Sequence, residues 1–278
     1  MIRLGHIVYS NCFPIHASLI ERPRAGVEVT SDIPSALNRM LRDGQIDIAP
    51  CSSIEYARNA DRYRVLPSVV IGSRGPVQSI LLETSRPLAE LDGALIAATS
   101  ASATSVVLMR ILLEIRFGIK PRLERFTQSL EADPINDGAT ATLWIGDTAL
   151  QRKFPPRREV YDLGELWTEW TGLPFAFALW QTSLGPEHDP ALRALLRDFE
   201  ESRRSSLENA LPLAERNVTR FDIEPRRLAR YWESLQYDLD HAMKAGVMRF
   251  YELAAELGEC PRVDRLRIVG EAPDSAGA

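Results

Sequence analysis

Apolar residues in the first two thirds of the chain fall in short, often β-branched runs. Each run hands over to small or polar residues and then, in several places, to apolar positions spaced three and four apart. The first pattern predicts buried strands and the second amphipathic helices. Residues 2–8 read as a strand, which Asn11 and Pro14 break. Residues 27–30 read as a second strand. Pro34 stands at the start of a pattern with apolar residues at 37, 40 and 41, which predicts a helix that Gly44 stops. Residues 46–49 predict a third strand, after which Ser52 or Ser53 caps a short helix through Tyr56 and Ala57. This order, β-α-β-α, predicts a mostly parallel sheet.

The pattern then restarts. Residues 68–84 are extended and apolar, interrupted by Arg74-Gly75-Pro76. A strand at 95–98 feeds the small-residue stretch 99–105, and a helix follows over 106–117, ended by Gly118. Further strands are predicted at 123–126, 141–145, 160–163 and 175–180, with a short helix opening at Gly146-Asp147. From Pro190 onward the pattern is helical only, over 191–209, 225–231 and 238–257, and the Gly, Pro, Ser and Asp-rich tail 270–278 is expected to fray. Two β-α-β groups joined by extended stretches near 77–84 and 175–180 predict two lobes. Lobe one takes residues 1–82 and 180–278, lobe two residues 83–179, and a ligand cleft lies between them, where strand ends and helix N-termini meet.

Composition narrows the class. A chain of 278 residues with 45% hydrophobic and 26% charged residues is an ordinary globular protein with room for two lobes. Its longest apolar runs are too short to span a bilayer, which excludes a membrane-spanning helix. No charged, apolar and cleavage-site regions follow Met1, so a cytoplasmic protein without a secretory signal is expected. Three Cys (Cys12, Cys51 and Cys260) form no paired spacing, which argues against a disulfide framework or a zinc motif. A net charge of −5 with no basic block argues against a nucleic-acid partner. The oligomeric state is not legible.

Three clusters of small polar residues recur where a strand meets a helix: Cys51-Ser52-Ser53, residues 99–105, and Gly146-Asp147-Thr148. The first turn of a helix carries unpaired N–H groups and a partial positive charge, and Ser and Thr add donors. These clusters therefore read as holders of a small anion. Plain N-capping explains each one separately; two hydroxyl-rich clusters on different lobes point more strongly to a ligand. Asp147 would repel an anion unless it orients a hydroxyl or caps its helix. Asn11, at a strand end beside Pro14, reads as a cleft residue or an Asx turn. Ser79, in a crossing stretch, faces the cleft floor or packs. His6, His16, His188 and His241 have no metal spacing, and His6 and His16, though near the cleft, read as structural or surface groups. No phosphate-binding glycine loop and no catalytic triad is present. Arg74 reads as a surface cation and Cys51 as packing. Tyr231, Trp232 and Tyr237 read as helix packing, with an interface as the alternative.

The stretch Gly5-His6-Ile7-Val8-Tyr9-Ser10-Asn11-Cys12-Phe13-Pro14 resembles the opening of the chorismate dehydratases of the futalosine route to menaquinone. The resemblance runs on through Ile33-Pro34-Ser35-Ala36-Leu37-Asn38, residues 44–56, Gly75-Pro76-Val77-Gln78-Ser79, Ser102-Ala103-Thr104-Ser105 and Gly146-Asp147. It closes with Tyr161-Asp162-Leu163-Gly164-Glu165-Leu166-Trp167 and Thr171-Gly172-Leu173-Pro174-Phe175. It covers roughly residues 2–182. It implies an α/β fold of the type II periplasmic-binding-protein kind, with mixed, mostly parallel sheets and a helical C-terminal segment. It implies a cofactor-free, metal-free lyase that converts chorismate to 3-[(1-carboxyvinyl)oxy]benzoate and water. It also implies that Asn11 and Ser79 act in the site; from the small-residue clusters, Ser52, Ser53, Ser102, Ala103, Thr104, Ser105 and Asp147 are expected to bind the substrate. Ser10 and Cys51 depart from the family pattern, where Leu, and Ile or Val, are frequent. A sister enzyme acting on cyclic dehypoxanthine futalosine shares the fold and is the second alternative, after a binding module of the same fold without catalysis. The effector domain of a regulator is the third.

Overall fold

In the computed structural model, which describes residues 1–271, ten strands make two five-stranded sheets. The chain opens with β1 (Ile2–Ile7), a 3-10 turn (Ser10–Cys12), α1 (Phe13–Glu21), β2 (Val27–Asp32), α2 (Pro34–Arg42), β3 (Ile48–Ser52), α3 (Ser53–Arg58) and β4 (Arg64–Ser73). It crosses to the second sheet as β5 (Ile80–Thr84), β6 (Leu95–Thr99), α4 (Ala103–Arg110), which runs into a π-helical turn (Ile111–Arg116), β7 (Arg122–Phe126), β8 (Ala141–Ile145), α5 (Gly146–Gln151), β9 (Glu159–Asp162) and α6 (Leu163–Thr171). It returns as β10 (Phe175–Thr182) and ends in α7 (Asp189–Glu208), α8 (Ala210–Arg216), α9 (Val218–Phe221), α10 (Pro225–Ser234) and α11 (His241–Glu256).

The first sheet has the order β2-β1-β3-β10-β4 and the second β7-β6-β8-β5-β9. Each joins parallel pairs (β1 with β2 and β3; β6 with β7 and β8) to antiparallel pairs made by one returning strand, β10 or β5. Strands β3, β8 and β10 are buried at every residue, as expected of strands covered on both faces. Among the helices, α11 packs on β10 and α7 on α1.

Several elements differ from the sequence reading, each for a local reason. The first strand ends at Ile7, before Asn11 and Pro14, and Pro14 occupies the first turn of α1, where a missing N–H costs nothing. The strand expected to run through Leu163 ends at Asp162, whose carboxylate accepts from the N–H groups of Gly164 and Glu165 and so starts α6. The expected boundaries 82/83 and 179/180 fall inside β5 and β10, and each of these strands lies whole within one sheet. The links between the sheets are residues 74–79 and 163–174. Of the tail expected to fray, Gly270 is held by Asp189, to which its N–H donates at 3.1 Å, and residues 272–278 lie outside the described residues.

Candidate active site

The turn after β1 is gripped from three directions. The N–H of Ser10 donates to both carboxylate oxygens of Asp147, at 3.1 and 3.0 Å, and its hydroxyl donates to Oδ1 at 2.5 Å. The indole N–H of Trp232 donates to the Ser10 carbonyl at 2.8 Å, and the Tyr237 hydroxyl to the Asn11 carbonyl at 3.2 Å. The turn therefore bridges the first sheet, the second sheet and the C-terminal helices. Gly146, at φ +60°, lets the second sheet's segment approach: a Cβ there would stand 2.9 Å from the Tyr9 ring.

Behind this turn lies a small cavity of about 40 Å³. Tyr9, Asn11, Ser52, Ser79, Ser102 and Ser105 supply its polar wall, and Ile7, Ile71, Ile80, Ile145 and Phe177 much of its apolar wall. Among the described residues no charged side chain lines it. The Asn11 amide oxygen and the Ser52 hydroxyl are buried without a hydrogen-bond partner. A buried polar atom left unpaired costs about 1–3 kcal/mol, so both are set to be satisfied by a ligand. Ser79 follows Gln78, whose φ of +64° is rare for a side-chain-bearing residue. The carboxylate of Asp162, accepting from the N–H groups of Val77 and Gln78 at 3.0 and 2.6 Å, holds that turn. Ser79 is 1% exposed, and its hydroxyl accepts from the Tyr231 phenol at 2.8 Å.

The sequence-predicted residues separate into two groups. Asn11, Ser52, Ser79, Ser102 and Ser105 come together on the cavity wall. Ser53, Ala103, Thr104 and Asp147 are not part of that wall. Neither Ser52 nor Ser53 caps α3 with its side chain. The Ser53 hydroxyl lies 3.1 Å from the Tyr251 hydroxyl, on the opposite side of the strand end. Thr104 accepts from the Ile54 N–H at 3.1 Å and so ties α4 to α3. Ser102 does cap α4, accepting from the Ser105 N–H at 3.3 Å. Asp147 holds Ser10 rather than a ligand, and its burial raises its carboxyl from 3.8 to about 6, against the lowering effect of the Ser10 hydrogen bonds.

A profile of menaquinone biosynthesis proteins matches residues 2–256. The chain is 32% identical over 265 residues to a chorismate dehydratase from Thermus thermophilus, covering 90% of this chain and 93% of that one. It belongs to the menaquinone biosynthesis family. A 1,4-dihydroxy-6-naphtoate synthase from Thermus thermophilus is 26% identical over 194 residues, covering 69% of this chain and 66% of that one. The fold resembles that of the periplasmic aliphatic sulphonate binding protein SsuA from Escherichia coli, with a TM-score of 0.64 at 13% identity, covering 100% of this chain and 94% of that one. This family member thus has the periplasmic-binding-protein-like fold that its sequence led us to expect.

One cluster in this family member has the donor set of a metal site. The ring nitrogens of His6 and His16 and the Cys12 sulfur lie within 4.8 Å of one another, all buried. The proton arrangement speaks against a metal. The Trp180 indole N–H donates to His16 Nε2 at 3.0 Å, which leaves a neutral ring protonated at Nδ1. That N–H points at His6 Nδ1, 3.0 Å away. Burial drives His16 well below its ordinary range, and burial with nearby Arg220 lowers His6 to about 4. The pair forms a neutral hydrogen-bonded chain between β1 and α1. Arg74 pairs with Asp240 at the surface, and Cys51 is fully buried packing.

Sequence reasoning missed Tyr9 and Ser10 as site-shaping residues, and it read Tyr231 as packing. The available signal was only a Tyr-Trp pair in an amphipathic helix. Nothing local in that pattern tells of a partner 152 residues away in sequence.

Proposed function

We propose that this chain is a carbon–oxygen lyase that dehydrates chorismate to 3-[(1-carboxyvinyl)oxy]benzoate in the cytoplasm. The observation that carries the reading is the cavity wall: unpaired Asn11 and Ser52, with Ser79, Ser102 and Ser105, and, among the described residues, no charged side chain. Chorismate has two carboxylates, a ring hydroxyl and an enolpyruvyl ether. Loss of the hydroxyl, with the proton of the ring carbon bearing the ether, makes the ring aromatic. The electron pair of that C–H bond becomes ring π density as the C–O bond breaks, and the hydroxyl departs as water. Aromatisation drives the reaction, so positioning and hydrogen bonds to the leaving oxygen suffice. The residues named as catalytic are Asn11 and Ser79, which hold the ring hydroxyl. Ser52, with Ser102, Ser105 and the N-terminal N–H groups of α4 at Ala103 and Thr104, holds carboxylate. A carboxylate of the substrate takes the proton and passes it to the departing hydroxyl, which leaves as water, because among the described residues no carboxylate of the protein lines the cavity.

In this reading the two sheets are the cores of two lobes, linked through residues 74–79 and 163–174, that open for entry and close for reaction. The experiment is to mix the protein with chorismate and follow the product by ultraviolet absorbance and mass, with cyclic dehypoxanthine futalosine offered in parallel. Formation of the aromatic ether from chorismate alone is expected. Turnover of the second compound would move the assignment to the sister activity, and binding of chorismate without turnover would make the protein a receptor.

A further inference from the structure

We infer that Tyr231, in the C-terminal helix α10, is a positioning residue that sets the hydrogen-bond polarity of both Asn11 and Ser79. The inference rests on the reading of those two residues given above and adds a third group to them. Tyr231 is 1% exposed, and its phenol donates to the Ser79 hydroxyl oxygen at 2.8 Å. The Asn11 side chain also faces the same phenol, where its interaction opposes the rise that burial causes in the phenol's pKa. A phenol has one proton to give. Spent on Ser79, it leaves the Tyr231 oxygen to accept, and the group of Asn11 able to donate is its amide NH₂. The Asn11 amide oxygen is then the atom left over, and it is the buried atom without a partner. Ser79, already accepting from Tyr231, directs its own proton elsewhere, and its side chain lines the cavity.

The chain of bonds therefore runs one way, from the Asn11 amide to the Tyr231 phenol to the Ser79 oxygen. It ends in an acceptor, Asn11 Oδ1, and a donor, the Ser79 hydroxyl, on one wall. That pair suits a departing alcohol, which donates its proton to the first and accepts from the second as the C–O bond lengthens. Burial holds the phenol protonated far above neutrality, so this polarity persists across the working pH range. Neighbouring bonds keep the arrangement in place: Trp232 and Tyr237 hold the Ser10 and Asn11 carbonyls, and the Gln78 amide donates to Ser234 at 3.0 Å. The C-terminal helices thus reach both the first-sheet turn and the crossing segment.

The test is a double-mutant cycle with chorismate: Ser79→Ala, Tyr231→Phe and the pair, each checked by circular dichroism and thermal melting. Tyr231→Phe is expected to lower kcat at least 10-fold with KM within about 3-fold, and to have a smaller effect in the Ser79→Ala background, where only its influence on Asn11 remains. A full-rate Tyr231→Phe enzyme, or a loss that multiplies with that of Ser79→Ala, overturns the inference while leaving the role of Ser79 standing. A full-rate Ser79→Ala enzyme removes the reading on which the inference rests, and the inference with it. Should Tyr231→Phe not fold, 2,3-difluorotyrosine inserted at position 231 is measured instead. That ring keeps its volume and donates more strongly. A kcat that rises with Ser79 present and moves less without it supports the inference; an unchanged or lower kcat with Ser79 present overturns it.

Discussion

The carboxyl of Asp147, at about 6 rather than 3.8, is a single residue with a thermodynamic signature. A group whose folded pKa is raised binds its proton more tightly in the native state, so its contribution to stability falls as pH rises from about 4 to about 6. Two units correspond to about 3 kcal/mol. Asp147→Asn removes the titration. The stability of that variant relative to the unsubstituted protein is expected to decline by about 3 kcal/mol between pH 7 and pH 4 in urea denaturation; a pH-independent difference would refute the assignment. His6 acts in the opposite sense. Its lowered pKa makes stability fall as pH drops from 6.5 toward 4, which is why the comparison with the variant, rather than the total curve, isolates Asp147. In the site, Asn11→Ala removes the only partnerless buried amide oxygen on the wall among the described residues. A fall in kcat of about 10²-fold is expected, the scale for losing one well-placed hydrogen-bonding group in a transition state.

At the scale of an element, the end of β3 shows how a strand's alternation divides two identical neighbours. Ser52 faces the cavity with a free hydroxyl, whereas Ser53 meets Tyr251. Ser52→Ala is expected to raise KM for chorismate about 10-fold, the cost of one hydrogen bond to a charged group. Ser53→Ala is expected to leave kcat and KM within about twofold and to lower stability by about 1 kcal/mol. Steady-state kinetics and melting of the two variants decide it, and the reverse result would place the anion on the other side of the strand. The sequence marked both residues and ranked them equally. Residue type and spacing locate a strand-to-helix junction, but which hydroxyl turns inward depends on what lies across from each. The same limit applied to Thr104 and Asp147: both stand at the expected helix starts, yet each is spent on a neighbouring segment.

At the scale of the whole molecule, the lining hydroxyls are closed off. Ser79 and Ser105 are 1% exposed and Ser52 is 2% exposed. A substrate reaches that wall only by separation of the elements around it. The bonds that must part join the two sheets: Ser10 to Asp147, and Thr104 to Ile54. Small-angle X-ray scattering is expected to give a smaller radius of gyration with 3-[(1-carboxyvinyl)oxy]benzoate bound than without ligand. An unchanged radius would mean that entry needs only local loop motion. Hinge closure of this kind is the common behaviour of two-lobed binding folds.

What the sequence determined by itself was the succession of strands and helices, the helical C-terminal third, and the polar residues after β1, β3 and β6. Those follow from local rules, because hydrophobic period, proline and glycine placement and capping chemistry act over a few residues. Tertiary structure decided the rest. It assigned β5 and β10 each to a single sheet, set Pro14 inside a helix, and chose five of the nine candidate residues for the cavity wall. It also brought Tyr231, read as packing, onto Ser79. These outcomes depend on partners tens to hundreds of residues apart. A hydroxyl's role is set by the one proton and two lone pairs it has to place, and only the folded chain says which neighbours compete for them.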